Sequence, residues 1–97
     1  MSYHTLQEIS QAVAKEYSIN VKDINSYCRR REVADARFMV AYLLRRNGMS
    51  YLRIGGLIGR HHTTIIHDCN EMEYLLQYDK TTIKHFNNIM KDLWNQS

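Results

Sequence analysis

Apolar residues recur every three or four positions along this chain, and no stretch alternates apolar and polar residues as a strand does. This periodicity predicts helices over about residues 5–18, 32–47, 50–58, 62–77 and 81–95. Residues 19–24 leave room for about one further turn of helix. We therefore expect an all-α fold, a compact bundle of about five to six helices.

Residues that begin and end helices support these boundaries. Thr5 and Glu8 have the spacing of a capping box, and Ser50 can cap the third long segment. Gly48 and Gly59 are typical of helix ends. We expect the short segment 50–58 to be buried, because Leu52, Ile54, Leu57 and Ile58 leave it little polar surface. In three of the longer helices, apolar residues form a stripe that should face the core. The stripes are Val33, Ala36, Val40 and Leu43; Ile65, Cys69, Met72 and Leu76; and Ile83, Phe86, Met90 and Leu93.

Residues 50–77 have the outline of a helix-turn-helix, in which a short apolar helix and a glycine turn precede a longer helix with a polar first turn. In that motif the first residues of the second helix reach base edges in the major groove of DNA. The candidate reading face consists of His62, Thr63, Ile66, His67 and Asn70. The alternative is that Thr63 and Thr64 only cap the helix and that Ile66 packs inside, as in other helical bundles.

The charge of the chain is concentrated in its middle third. The 97 residues suit one domain, residues 1–97, with a net charge of +3. Residues 28–62 carry eight arginines against Glu32 and Asp35, a balance of +6, and every lysine lies outside this segment. Because the planar arginine fork suits phosphates and base edges, this distribution favours nucleic-acid binding. A solvated surface with arginines on several faces is the alternative.

The spacing of the histidines does not favour a metal site. His61 and His62 are adjacent, and His62 and His67 are five positions apart, whereas ligands on one helix face are separated by four. Cys28 and Cys69 are expected to be reduced, a loop thiol and a core thiol. The segment GGLIGR has no phosphate-loop lysine, and no serine or cysteine has a base beside it in the pattern. We expect no enzyme, no cofactor and no metal.

Several segments resemble the C-terminal DNA-binding domain of the bacterial replication initiator DnaA. The resemblance is carried by LQEISQAVAKEYSINVKDI, RRREVADARFMVAYLLR and IGGLIGR, and above all by HHTTIIHDC. The tail IKHFNNI is similar to the last helix of that family. The resemblance covers roughly residue 5 to the C-terminus and implies a Trp-repressor-like helix-turn-helix bundle that binds double-stranded DNA.

The resemblance also implies roles for individual residues. An arginine of the basic loop, about residues 25–31, enters the minor groove in the family, and Arg29 matches it best. Arg31 and Arg37 match backbone contacts, His62 and Thr63 match base contacts from the helix in the major groove, and Thr64 matches a phosphate contact. The full set of expected DNA-binding residues is Arg29, Arg30, Arg31, Arg37, Arg60, His61, His62, Thr63, Thr64, Ile66 and His67.

The chain departs from the family pattern at three places. His61 stands where the family has an aspartate that can cap the helix and accept a hydrogen bond from a cytosine amino group. The family's Arg-Pro-Arg-Gln run reads DARF here, which places Asp35 where a cation would face phosphate and Phe38 where an amide would. The glycine turn is one residue shorter, with Gly59 alone before Arg60.

These observations predict sequence-selective binding to double-stranded DNA by a free-standing monomer, in replication initiation or its regulation. We expect a cytoplasmic, nucleoid-associated protein of a bacterium or phage that has no membrane segment and has a protein of the replication machinery as a further partner. The alternative is a protein-interaction adaptor or transcription regulator on the same scaffold, with lost or altered DNA specificity. Asp35, Phe38 and the acidic last third of the chain favour that alternative.

Overall fold

The computed structural model describes residues 5–24 and 30–95, and these form six helices. They are α1 (Leu6–Tyr17), α2 (Val21–Ile24), α3 (Arg31–Arg46), α4 (Tyr51–Ile58), α5 (His62–Tyr78) and α6 (Lys80–Asn95). The described residues contain no strand. The predicted all-α bundle is confirmed, and the segment after α1 is a helix of a single turn, as its length indicated.

The predicted helix ends are set by local hydrogen bonds. Thr5 Oγ1 accepts from the backbone N–H of Glu8, and Glu8 Oε1 accepts from the backbone N–H of Thr5, which completes the capping box. Ser50 Oγ accepts from the backbone N–H of Arg53 at the start of α4. At the start of α6, Asp79 accepts from the backbone N–H of Thr81. Each cap satisfies a donor that the first helical turn leaves unpaired.

Helix α3 contacts α1, α2, α4 and α5; α5 also contacts α4 and α6, and α1 packs against α6 as well. The side chains of Ile65, Cys69 and Met72 enter the core from α5, as predicted, and Leu76 is half-buried. The predicted stripe of α3 is also buried, together with Met39, Ala41 and Leu44. No helix within the described residues is both long and apolar enough to cross a membrane.

Polar contacts hold α6 against α1. Glu16 Oε2 lies 2.7 Å from His85 Nδ1 and accepts from Asn88 Nδ2 at 3.0 Å. The ring of Tyr17 lies beside the His85 ring, with centroids 4.5 Å apart. Burial alone would raise the pKa of Glu16, but the hydrogen bonds from His85 and Asn88 outweigh it and hold this pKa below its usual value. The carboxylate is therefore stabilised where the two helices meet.

Two predictions about burial are wrong. Helix α4 is not buried as a whole, since Leu52 is 71% exposed and Leu57 is 43% exposed. In α6 Leu93 is buried as expected, but the other buried apolar residue is Ile89, and Met90 is 36% exposed. Helix α4 packs on its neighbours along one side only, so two of its four predicted inner side chains remain outside the core.

Candidate nucleic-acid interface

The turn between α4 and α5 depends on two glycines. Gly59 has the left-handed backbone conformation that ends many helices, with φ of 81°, and its N–H donates to Gly55 O at 2.8 Å. The N–H of Arg60 donates to the same oxygen at 2.9 Å. A Cβ at Gly55 would lie 2.5 Å from Arg60 O, so the turn can pack against α4 only where a side chain is absent.

His61 caps helix α5. Its Nδ1 accepts from the backbone N–H of Thr63 at 3.3 Å and lies 2.7 Å from Thr63 Oγ1. An imidazole nitrogen that accepts carries no proton, so the neutral ring must carry its proton on Nε2. His61 thus takes over the capping role of the aspartate that the resemblance led us to expect, and it leaves a donor at the exposed edge of the ring.

The first turns of α5 present polar side chains to solvent. Thr63, Thr64, His67 and Asn70 are exposed, and His62 and Ile66 are half-buried. The rings of His61 and His62 lie side by side, with centroids 4.4 Å apart. Ile66 is partly packed against the fold and partly open to solvent. The residues of the candidate reading face therefore lie at the N-terminal end of α5, with three of them exposed and two half-buried.

Arg37 of α3 and Arg60 of the turn lie near each other beside this surface, and both are half-buried. Burial lowers the pKa of Arg37, and the positive charge of Arg60 lowers it further. Arg37 Nε is buried without a hydrogen-bond partner. Arg37 thus has one donor without an acceptor and a second cation within electrostatic range, an arrangement that suits an anion such as a phosphate.

The other expected arginines have different surroundings. Arg30 Nη2 lies 3.9 Å from Asp23, and Arg31 Nε lies 3.3 Å from Asp35, with both arginines exposed. Arg31 therefore shares its charge with the acid that departs from the family pattern. Arg29, the expected minor-groove residue, and most of the basic loop lie outside the described residues.

Asp68 is the residue that the pattern failed to identify. It is only 6% exposed, and its Oδ2 is buried without a hydrogen-bond partner. Burial raises the pKa of this carboxyl, although the charges of Arg37, His67 and Arg60 lower it. The only signal in the sequence is the position of Asp68 directly before Cys69, at the edge of the inner stripe of α5.

The described residues include one cysteine, Cys69, whose thiol lies in the core. Cys69 is a free, buried thiol, and burial raises its pKa to about 11, so it is a core residue as predicted. Cys28 lies outside the described residues. Within residues 5–24 and 30–95, no group of three or more histidine, cysteine, aspartate or glutamate side chains is placed to hold a metal ion.

Comparison with known proteins shows where this arrangement belongs. The family model described as "Bacterial dnaA protein helix-turn-helix" matches residues 6–72. Three chromosomal replication initiator proteins DnaA are similar to the chain: that of Rickettsia canadensis is 36% identical over 93 residues, that of Trichormus variabilis 35% over 78, and that of Borreliella burgdorferi 30% over 93.

These matches cover 94%, 78% and 94% of the chain but only 20%, 17% and 18% of the respective relatives. The chain therefore corresponds to one domain of the longer proteins. The family match covers α1 to α4 and the part of α5 up to residue 72. This chain belongs to the bacterial DnaA helix-turn-helix family of DNA-binding domains.

Proposed function

We propose that this domain binds double-stranded DNA in a sequence-selective manner, with the N-terminal turns of α5 in the major groove. The observation that carries the proposal is the outer surface of His62, Thr63 and His67, which begins at a glycine turn and lies beside Arg37 and Arg60. Helix-turn-helix proteins read bases with this part of the second helix. Thr64 and the two arginines are the phosphate contacts in this arrangement.

The base preference follows from the chemistry of His61. Its Nδ1 is used by the cap, so only the Nε2–H remains to face DNA, and it can only donate. An aspartate at this position would instead accept from a cytosine amino group. We therefore propose that His61 prefers a base with acceptors in the major groove, such as the O6 and N7 atoms of guanine.

Arg29 in the minor groove completes the proposal, on the strength of the family resemblance alone. With five or six phosphate contacts, a plot of log affinity against log salt concentration would have a slope of roughly −4.5 to −5.4.

The domain acts in replication initiation or its regulation, as a cytoplasmic, nucleoid-associated monomer that also binds a protein of the replication machinery. Its role is binding and not catalysis.

The deciding experiment is selection from a random duplex library at about 150 mM salt, where non-specific binding is weak. The wild type should enrich one motif, and His61→Asp should change the preferred base at one position of it, towards cytosine. Thr63→Ala should lose about 1–3 kcal/mol of specific binding. A wild-type selection without an enriched motif would exclude sequence-selective reading, and an unchanged motif for His61→Asp would exclude the role given to His61.

A further inference from the structure

Helix α4 turns one side to the core and the other to solvent. The residues buried on its inner side are Ile54, Gly55 and Ile58. The exposed residues, which share the opposite side, are Leu52, Arg53, Gly56 and Leu57. A Cβ at Gly56 would meet no atom within 4 Å, so the helix backbone itself is open to close approach on this outer face.

The charges on and around the outer face of α4 are positive. From residue 36 to residue 67 the sequence has five arginines and no acidic residue. Arg53 is exposed, and its guanidinium forms no hydrogen bond or ion pair within the part of the chain that the structure describes. Arg45 of α3 lies over an aromatic ring of α4, 4.3 Å from the ring centroid. Asp68 acts electrostatically on Arg60, but it is only 6% exposed, so its charge is not displayed at this surface. The outer face therefore attracts an anionic partner.

The turn after α4 holds this face next to the proposed reading face. Gly55 O accepts from the backbone N–H of Gly59 and from that of Arg60, and α4 packs on α5 directly after this turn. In helix-turn-helix proteins the first helix crosses the DNA backbone while the second lies in the major groove. The anion that meets the outer face of α4 is then the backbone of the duplex that α5 reads.

We propose that the outer face of α4 lies on the sugar–phosphate backbone and that Arg53 contacts a phosphate there. The planar fork of a guanidinium suits two phosphate oxygens at once. Gly56 leaves room for the strand, and the exposed side chains of Leu52 and Leu57 can contact its sugars. The inference rests on the proposed function, because α5 places the duplex. An acidic protein segment is the other partner that this charge would attract.

The first test is the salt dependence of DNA binding by Arg53→Gln, measured on the duplex enriched by selection and on random duplexes. Losing one phosphate contact should reduce the slope by about 0.9 and weaken binding to both roughly fivefold at about 150 mM salt, relative to about 1 M. Arg46→Gln is the matched control, because Arg46 is equally an exposed arginine but lies over the Phe86 ring of α6, at 5.4 Å. Its slope should equal that of the wild type.

The second test locates the contact on the DNA. Methylphosphonates, which replace one charged phosphate oxygen by a methyl group, are placed singly along the selected duplex. At one position beside the motif the substitution should weaken binding of the wild type roughly fivefold, as for one lost contact. The same substitution should leave the affinity of Arg53→Gln unchanged, since that variant has already lost the contact.

Two outcomes would overturn the inference. One is an equal slope for Arg53→Gln and the wild type. The other is a full loss of affinity in Arg53→Gln at every methylphosphonate that weakens the wild type, which would leave the outer face of α4 to an acidic protein segment.

Neither outcome would affect the proposed reading face, which Thr63→Ala tests through a loss of motif preference at an unchanged slope. Conversely, a wild type that enriches no motif would exclude sequence-selective reading. A slope lowered by Arg53→Gln on random duplexes would still support the backbone contact of α4 in that case.

Discussion

The Nδ1 atom of His61 accepts the backbone N–H of Thr63 at 3.3 Å, so a histidine begins the helix that carries the proposed reading face. An N-cap side chain typically contributes about 0.5–2 kcal/mol relative to alanine. We expect His61→Ala to lower the free energy of unfolding by that amount, measured by urea denaturation.

Two further substitutions at His61 separate capping from other effects. His61→Asn keeps an acceptor and should keep the stability of the wild type. His61→Asp keeps the acceptor and adds a negative charge at the helix N-terminus, so it should add about 0.3–1 kcal/mol. If the His61→Ala and His61→Asn variants are equally stable, the hydrogen bond from the backbone N–H of Thr63 to residue 61 does not contribute to the stability of the fold.

The buried carboxyl of Asp68 should cost stability at neutral pH. Burial raises its pKa above 3.8 in the folded state, against the weaker opposing effect of Arg37, so the folded state holds this proton more tightly than the unfolded state. The resulting penalty is absent below about pH 3.8 and grows as the pH rises through the raised pKa. We expect Asp68→Asn to be about 1–3 kcal/mol more stable than the wild type at pH 7.

The pH dependence distinguishes this penalty from a packing effect. The difference in free energy of unfolding between Asp68→Asn and the wild type, measured by urea denaturation, should become smaller between pH 7 and about pH 4. Glu73→Gln removes an exposed charge from the same helix and should shift stability by less than about 0.5 kcal/mol at either pH. An advantage of Asp68→Asn that is independent of pH would show that ionisation is not its cause.

Adjacent glycines in α4 should respond oppositely to alanine. At Gly55 the new Cβ would lie 2.5 Å from the backbone oxygen of Arg60, and displacing that turn should cost about 1–3 kcal/mol. At Gly56 no atom lies within 4 Å of the new Cβ, so alanine should stabilise the helix by up to about 1 kcal/mol. Thermal unfolding of the two variants checks this, and a neutral Gly55→Ala would mean that the turn can move freely.

Arg37 should contribute to DNA affinity without regard to sequence. Arg37→Gln should lower the affinity for specific and random duplexes alike and reduce the slope of the salt dependence by about 0.9, as expected for one lost phosphate contact. Arg46→Gln is a matched control, because Arg46 lies nine residues farther along α3, about 13.5 Å away. Equal slopes for Arg37→Gln and the wild type would remove Arg37 from the phosphate contacts.

Local features of this fold could be predicted from the sequence because local interactions determine them. The capping box of Thr5 and Glu8, the cap at Ser50 and the break at Gly59 each depend on a few neighbouring residues. The inner stripe of α5 followed from the spacing of its apolar residues, and the helix-turn-helix outline predicted the candidate reading face.

Features that depend on how helices meet could not be predicted in the same way. Asp68 is buried because α3 covers the side of α5 next to the apolar stripe, which a count of apolar positions along α5 does not reveal. Leu52 is exposed because α4 has no neighbour on that side. Similarly, the cap by His61 needed the coordinates, since histidine is not among the residues that commonly cap helices.

The contacts between α1 and α6 join residues far apart in the sequence: Glu16 meets His85 and Asn88, across 69 and 72 positions. During synthesis, the side of α1 that receives α6 must remain open until residues beyond 85 have left the ribosome. The complete helix-turn-helix is made before that moment. The nascent chain therefore carries α5 through a period in which the side of α1 that later packs on α6 is uncovered, and the last helix ends that period.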